Sequence, residues 1–350
     1  MKKIAIFQRD LGMGGIQKSL VNLLNVIDYK KYEVDLYLFS YDNFFKESLP
    51  NELNIIYLKP LPYISRFIFF SILKMFHPYK IDKKYDLAID YNSYDQGCAL
   101  ACLSVDAKEY ISWVHNDVLR EKNNDIKYLI LHFFFKSKFA FFTKYVCVSR
   151  GLIEPFKKVN SISHNHFVVI PNLVLSEEVI NKSMEKTSFS VDKSKYNLVS
   201  VGRLVFQKGF DILIQDMKEI IKKRKDIHLY IIGDGNQRKK LEKMVKFEKL
   251  DSYITFLGSQ SNPFQYETLM DGFVLESRYE GQGIAFLEAK VLGLDLIIPS
   301  HLKNYIDDVE FTDDVCKKIL SLQKKKKKKY HSLEEYNSNI VKKINQLFQK

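Results

Sequence analysis

The sequence predicts an α/β chain made of two parallel-sheet halves. Short apolar runs alternate with stripes of helical period, the mark of βα units. The pattern restarts near residue 197. The 350 residues fit two domains at about 150 residues each. The expected divisions are 1–172, 173–331 and a C-terminal segment 332–350 that packs back on the body as a helix.

In the first half, Ile4–Phe7 reads as a buried strand, followed by Gly12-Met13-Gly14-Gly15. Ile16, Leu20, Leu23, Leu24 and Ile27 then fall on one helical face. Val34–Phe39, Asp86–Asp90 and Tyr145–Val148 are further strands. In the second half the strands are Leu198–Gly202, Leu229–Gly233, Ile254–Gly258, Gly272–Leu275 and Leu294–Ile298. Helices are expected over Phe210–Lys223 and Arg238–Lys249. Ser332 and Glu335 have capping-box spacing before an apolar stripe at Tyr336, Ile340, Val341, Ile344, Leu347 and Phe348.

Composition narrows the function classes. Hydrophobic residues make up 46% and charged residues 27%, an ordinary globular balance. Cys98, Cys102, Cys147 and Cys316 form no C-x-x-C pair, so a disulfide framework or structural zinc is not expected. No apolar run reaches membrane-spanning length, and the N-terminal run is too short for a signal peptide. A cytoplasmic protein is the plain expectation. The net charge is +12. Residues 1–172 hold 23 Lys and Arg against 17 Asp and Glu, and the remainder 31 against 25, so each part carries +6. In the second part that excess equals the run Lys324–Lys329, read as a solvated tether. The basicity of the first part is diffuse and suits an anionic surface. No nucleic-acid-binding module is recognisable.

Three loops hold residues suited to chemistry. Gly14 and Gly15 lie between a strand and a helix, where backbone can approach an anion closely. Gly202-Arg203 and Lys208-Gly209 lie on a loop leaving a strand. Arg offers a planar fork to phosphate oxygens and Lys a point charge, a pair suited to a diphosphate. Glu280 and Glu288 have seven residues between them, with Gly281-Gln282-Gly283-Ile284 after the first. One unbroken helix would set them about 80° apart. The glycines instead put Glu280 on a loop and Glu288 in the following helix. Free N–H groups at the helix start can bind oxygens.

Together these loops resemble glycosyltransferase family 4, the retaining, nucleotide-sugar-dependent enzymes of GT-B fold, in their bacterial capsular and O-antigen form. The anchors are Gly14-Gly15, Gly202-Arg203, Lys208-Gly209, Ile232-Gly233-Asp234-Gly235, Asn262-Pro263 and Glu280 with Glu288. Trp113-Val114-His115 resembles the segment that supplies a histidine from the N-terminal domain. The resemblance implies two Rossmann-like domains with a cleft between them. It implies that Arg203 and Lys208 hold the donor diphosphate, that Glu280 contacts the donor sugar, and that Glu288 binds ribose hydroxyls. Gly281, Gln282, Gly283 and Ile284 would line the sugar pocket, and Gly233 and Asn262 would belong to the donor site. His115 would contact the transferred sugar, making Glu280, His115, Arg203 and Lys208 the catalytic set.

The implied reaction moves a hexose or N-acetylhexosamine from a nucleotide-diphosphate sugar, a UDP-sugar by expectation, to a glycan. No cofactor or metal is expected, since Arg203, Lys208 and a helix N-terminus would stabilise the leaving diphosphate, and no Asp-x-Asp pair occurs. Two departures from the family pattern stand out. Gln282 replaces a commonly aromatic residue, and the segment after Ser300 is short. They sustain an alternative, a non-catalytic nucleotide-sugar-binding subunit partnering another glycosyltransferase. On the acceptor side, Arg66–Phe76 and Leu129–Phe142 are apolar with flanking lysines or arginine, a composition suited to a membrane interface. Core or interdomain packing is the competing reading of both. An interfacial reading suits a polyprenyl-diphosphate-linked acceptor and a peripheral place on the cytoplasmic face of the inner membrane. Nucleic acid is not an expected partner.

Overall fold

The computed structural model describes residues 1–120, 126–164, 166–324 and 329–349. They form two units, Met1–Leu173 with Ser338–Lys350, and Val174–Asn337. The C-terminal segment is thus divided, its residues from Ser338 counting with the first unit. Among the described residues no helix is long and apolar enough to cross a membrane.

The first unit holds seven strands: β1 (Lys2–Gln8), β2 (Tyr32–Leu38), β3 (Asn54–Tyr57), β4 (Lys84–Asp90), β5 (Asp106–Val114), β6 (Lys144–Cys147) and β7 (Phe167–Val169). Their order is β3-β2-β1-β4-β5-β6-β7, with every pairing parallel. Ile4, Ala5, Ile6 and Phe7 are fully buried, as a strand covered on both faces requires. The order reverses between β1 and β4, so their carboxyl ends flank a switch point where α/β sheets bind ligands.

The second unit repeats the plan with β8 (Tyr196–Val201), β9 (Ile227–Ile232), β10 (Ile254–Gly258), β11 (Gly272–Val274), β12 (Asp295–Pro299) and β13 (Phe311–Thr312). The order β10-β9-β8-β11-β12-β13 is again all parallel. Its switch point lies between β8 and β11, which pair at Leu198 with Gly272 and Val199 with Phe273. The helix Phe210–Lys223 buries Leu213, Ile214, Met217, Ile220 and Ile221 in the core of this unit. Each such side chain contributes about 1.5–3 kcal/mol.

Gly209 turns the chain into that helix at φ +63°. A Cβ there would stand 1.9 Å from the Glu276 carbonyl oxygen. Gly209→Ala is therefore expected to cost about 2–4 kcal/mol, from left-handed strain plus a backbone clash, measured as a lower urea midpoint.

The C-terminal helix Glu334–Gln349 buries Ile340, Ile344, Leu347 and Phe348. Within the first unit the Phe348 ring meets Tyr32 edge-on at 5.4 Å, so the helix packs back as expected. The capping box does not form as its spacing suggested. Ser332 Oγ accepts from Glu334 N at 3.2 Å, while Leu333 N is held by Ser176 Oγ at 3.0 Å, which fixes the entry of the chain instead. Lys325–Lys328 lie outside the described residues, and with them most of the expected tether. Lys324 is no tether residue: its ammonium donates to the Lys193 and Lys195 carbonyls at 2.9 and 2.7 Å.

Candidate active site

The switch point of the second sheet places two loops side by side. One leaves β8 and runs from Gly202 to Gly209, and the other leaves β11 and runs from Leu275 to Gly283. Arg278 N donates to the Gln207 carbonyl at 2.8 Å, and Gln207 Nε2 to the Tyr279 carbonyl at 3.1 Å. The Arg278 guanidinium forms a fork with the Asp211 carboxylate at 2.8 and 2.7 Å and lies over the Phe206 ring at 4.0 Å. Paired and stacked contacts of this kind are the geometry for which Arg is suited. They fix one loop against the other.

This clamp brings Lys208 to Glu280. Lys208 Nζ donates to Glu280 Oε1 at 2.6 Å, and Ser277 Oγ donates to the same oxygen at 2.6 Å. Glu280 is 3% exposed, and these two donors are its hydrogen-bond partners among the described residues. Arg203 stands apart. It is exposed, and among the described residues no hydrogen bond or ion pair engages its guanidinium. A guanidinium the fold does not use is available to an anion.

The glycines of this region allow close backbone approach. Gly233 has φ +139°, and a Cβ there would lie 2.0 Å from the Gly202 carbonyl oxygen. Gly233 N donates to the Gly258 carbonyl and Gly202 N to that of Ile232. Gly283 has φ +80° beside Glu280 Oε2 and opens the helix Ile284–Val291. Glu288 lies on that helix, 8% exposed, so the two glutamates occupy a loop and a helix as predicted. Gly281 is buried in the same loop.

Two proposed donor residues are occupied with the fold. The Asn262 amide donates to the Lys182 carbonyl and to Glu185 Oε2, both at 2.8 Å, and its oxygen accepts from Phe264 N at 3.1 Å. It shapes the turn into the helix Phe264–Glu267. Gln282 Nε2 donates to Tyr336 Oη at 2.6 Å, so its side chain ties the loop to residue 336. Sequence reasoning missed Glu267. It is 1% exposed, Oε2 has no hydrogen-bond partner, and burial with the nearby Glu288 carboxylate holds its carboxyl far above the usual range. An apolar helical pattern gave no signal for a buried acid here.

Glu276, at the root of the β11 loop, is pushed up to about 8 by burial, with Asp216 adding to it. Above an unfolded value of 4.5 the folded chain keeps a proton that the unfolded chain loses. Stability therefore falls as pH rises from about 4.5 to 8. His115, lowered to about 3, acts the other way, since below about 6.5 the unfolded chain gains a proton that the folded chain refuses. From pH 6.5 to 8 the Glu276 contribution stands clear of it, with an upper limit of about 2 kcal/mol. Urea midpoints should fall across this window, and Glu276→Gln should lessen the fall without abolishing it, since burial also raises Glu267 and pushes Asp90 up to about 7.

The first unit supplies the other predicted residues. Gly14 caps the helix Gly15–Leu24, and its carbonyl accepts from Lys18 N at 2.9 Å. A Cβ on Gly15 would meet nothing within 4 Å, so the fold itself does not require glycine there. His115 follows β5 and is 5% exposed, and its Nε2 is buried without a hydrogen-bond partner. Its ring lies 4.6 Å from that of Tyr91. Burial keeps the imidazole neutral, able to accept from or donate to an uncharged hydroxyl. Tyr91 Oη in turn bonds Ser19 Oγ at 2.8 Å, which donates to Asn172 Oδ1 at 2.5 Å.

Two all-parallel sheets in these strand orders form a GT-B fold, shared with the solved glycosyltransferase structures below. Comparison with known proteins agrees. Residues 181–302 match the family of glycosyl transferases group 1, a span that contains Arg203, Lys208, Glu280 and Glu288. A Campylobacter jejuni protein named as an N-acetylgalactosamine-N,N'-diacetylbacillosaminyl-diphospho-undecaprenol 4-alpha-N-acetylgalactosaminyltransferase is 24% identical over 86% of this chain and 81% of its own length. An uncharacterized glycosyltransferase of Haemophilus influenzae is 25% identical over 85% of this chain and 80% of its own. One from Methanocaldococcus jannaschii reaches 27% identity, over 54% of this chain and 47% of that protein. Among solved structures, S. aureus TarM superimposes with a TM-score of 0.71 at 14% identity, covering 100% of both chains. Anabaena HepE, crystallised with UDP-glucose, superimposes with a TM-score of 0.64 at 14% identity, covering 100% of this chain and 98% of its own.

Proposed function

We propose that the chain is a retaining glycosyltransferase of family 4. It moves a hexose or N-acetylhexosamine from a UDP-sugar to a lipid-linked glycan in bacterial surface polysaccharide synthesis. The observation that supports this most is the disengaged Arg203 guanidinium on the same short loop as the Lys208–Glu280 pair. A diphosphate brings two negative charges that Arg203 can meet with a fork and Lys208 with a point charge.

In the proposed reaction the bond from the anomeric carbon to the diphosphate breaks, and charge builds on the leaving oxygen. Arg203 and Lys208 stabilise that charge. Glu280, held in place by Lys208 and Ser277, orients the sugar and faces the positive charge that develops at the anomeric carbon. The acceptor hydroxyl approaches on the leaving-group side, and a diphosphate oxygen takes its proton. Neutral His115 holds a sugar hydroxyl, and Glu288 the ribose. The HepE complex with UDP-glucose and the acceptor in the Campylobacter protein's name support the donor and acceptor classes by likeness.

The test is transfer from labelled UDP-glucose, UDP-galactose, their N-acetyl forms and GDP-mannose to a detergent-solubilised polyprenyl-diphosphate glycan, with and without EDTA. One donor is expected to be used, at a rate that EDTA leaves unchanged. Activity abolished by EDTA and restored by a divalent cation would overturn the metal-free scheme. No nucleotide release from any donor by the folded chain would favour the non-catalytic subunit.

A further inference from the structure

The two apolar stretches of the first unit lie together on its surface. Residues 61–80 and 126–144 contain seven Lys and Arg and no Asp or Glu. Of the twenty large apolar residues exposed among the described residues, twelve fall in these two stretches. The stretches touch through their rings. Phe69 stands 5.4 Å from Phe133 and 5.1 Å from Phe134, and Phe70 lies 6.0 Å from Phe141. The inner side is packed, with Phe70, Phe135 and Phe139 at 0%, 4% and 1% exposure, while Met75 and Phe76 are each 77% exposed and Ile126 78%. Each segment therefore packs one side into the core and leaves the other exposed. A contiguous exposed aromatic face marks an interaction site, since its hydration is costly and the fold does not cover it.

We propose that this face docks on the surface of an anionic phospholipid bilayer. Its rings and aliphatic side chains would sit at headgroup depth, with Lys136 and Lys80 exposed for lipid phosphates. Lys74, over the Phe141 ring at 5.2 Å, and Arg66, over Tyr63 at 4.9 Å, keep charge beside the apolar core of the patch. Charge selects the occupant. Lys138 is buried and Lys144 is paired with Glu109, but a second copy of this face would still set Arg66, Lys74, Lys80 and Lys136 against like charges, whereas an anionic bilayer attracts them. Docking stands on the patch alone. Its purpose, access to a lipid-linked acceptor, rests on the transferase reading.

The test is co-sedimentation of the full chain with phosphatidylcholine vesicles made with and without phosphatidylglycerol. Binding is expected with the anionic vesicles and should weaken at high salt. Met75→Glu with Phe76→Glu should reduce it at least about tenfold, and Lys80→Glu and Lys136→Glu at least about fivefold each. Phe247→Glu, on an 83% exposed site of the second unit, should change nothing. All these positions are exposed, and near-ultraviolet circular dichroism confirms folding. Binding to neither vesicle type would overturn the proposal, as would binding that the patch variants leave unchanged. So would a dimer in sedimentation equilibrium that the Met75/Phe76 variant dissolves. Nucleotide release from donor in vesicle-free solution reads the transferase separately, so either idea can fail alone.

Discussion

Arg203→Ala is expected to lower kcat/KM for the nucleotide sugar about 100-fold while leaving the urea midpoint unchanged. The guanidinium is exposed and no partner in the fold engages it among the described residues, so its removal leaves no buried group unsatisfied. Two charge-assisted hydrogen bonds to a diphosphate, at about 1.5–3 kcal/mol each, allow a loss of that size even after part is recovered by water. Arg203→Lys should keep the charge but not the fork, and should fall between the two. A fall in stability that matches the fall in activity would mean that Arg203 serves the fold.

Lys208→Ala is expected to have the larger effect, on stability and turnover together. It would leave the Glu280 carboxylate, 3% exposed, with the Ser277 hydroxyl as its remaining partner among the described residues. Breaking a buried pair from one side costs about 3–5 kcal/mol. Turnover should drop by about 1000-fold or more, because the same ammonium is proposed to meet the leaving diphosphate. The double variant Lys208→Met with Glu280→Gln separates the two effects. It should recover much of the stability, since no unpaired charge stays buried, yet remain inactive. Recovery of activity with stability would show the pair to be structural.

Much of the fold was legible because its signals are local. The stripe Leu213, Ile214, Met217, Ile220 defines the helix Phe210–Lys223 at the boundaries its period predicts, and Ile254–Gly258 is a strand where its apolar run says. The edge strands Asn54–Tyr57 and Phe311–Thr312 were not, being too short and too exposed to leave a run. Strand Asp106–Val114 was missed because its first five residues face partly into water and dilute the apolar signal of the rest.

The site was legible as residue types and not as partners. Lys208 and Glu280 are 72 positions apart, and their contact follows from β8 pairing with β11, a neighbour relation that element order along the chain does not state. The same holds for Asn262, whose partners Lys182 and Glu185 lie nearly eighty residues away. The exposed aromatic patch needed the structure for a similar reason. Each stretch alone reads equally as core, and their shared outer face appears when Phe69 meets Phe133.

The most direct test of the diphosphate site is a calorimetric titration of the full chain with UDP in EDTA, against Arg203→Ala. One-to-one binding to the wild type, lost in the variant, is the expected result. Folded wild-type chain that binds no UDP, or a variant that binds it equally well, would contradict the assignment of Arg203 and Lys208 to a donor diphosphate.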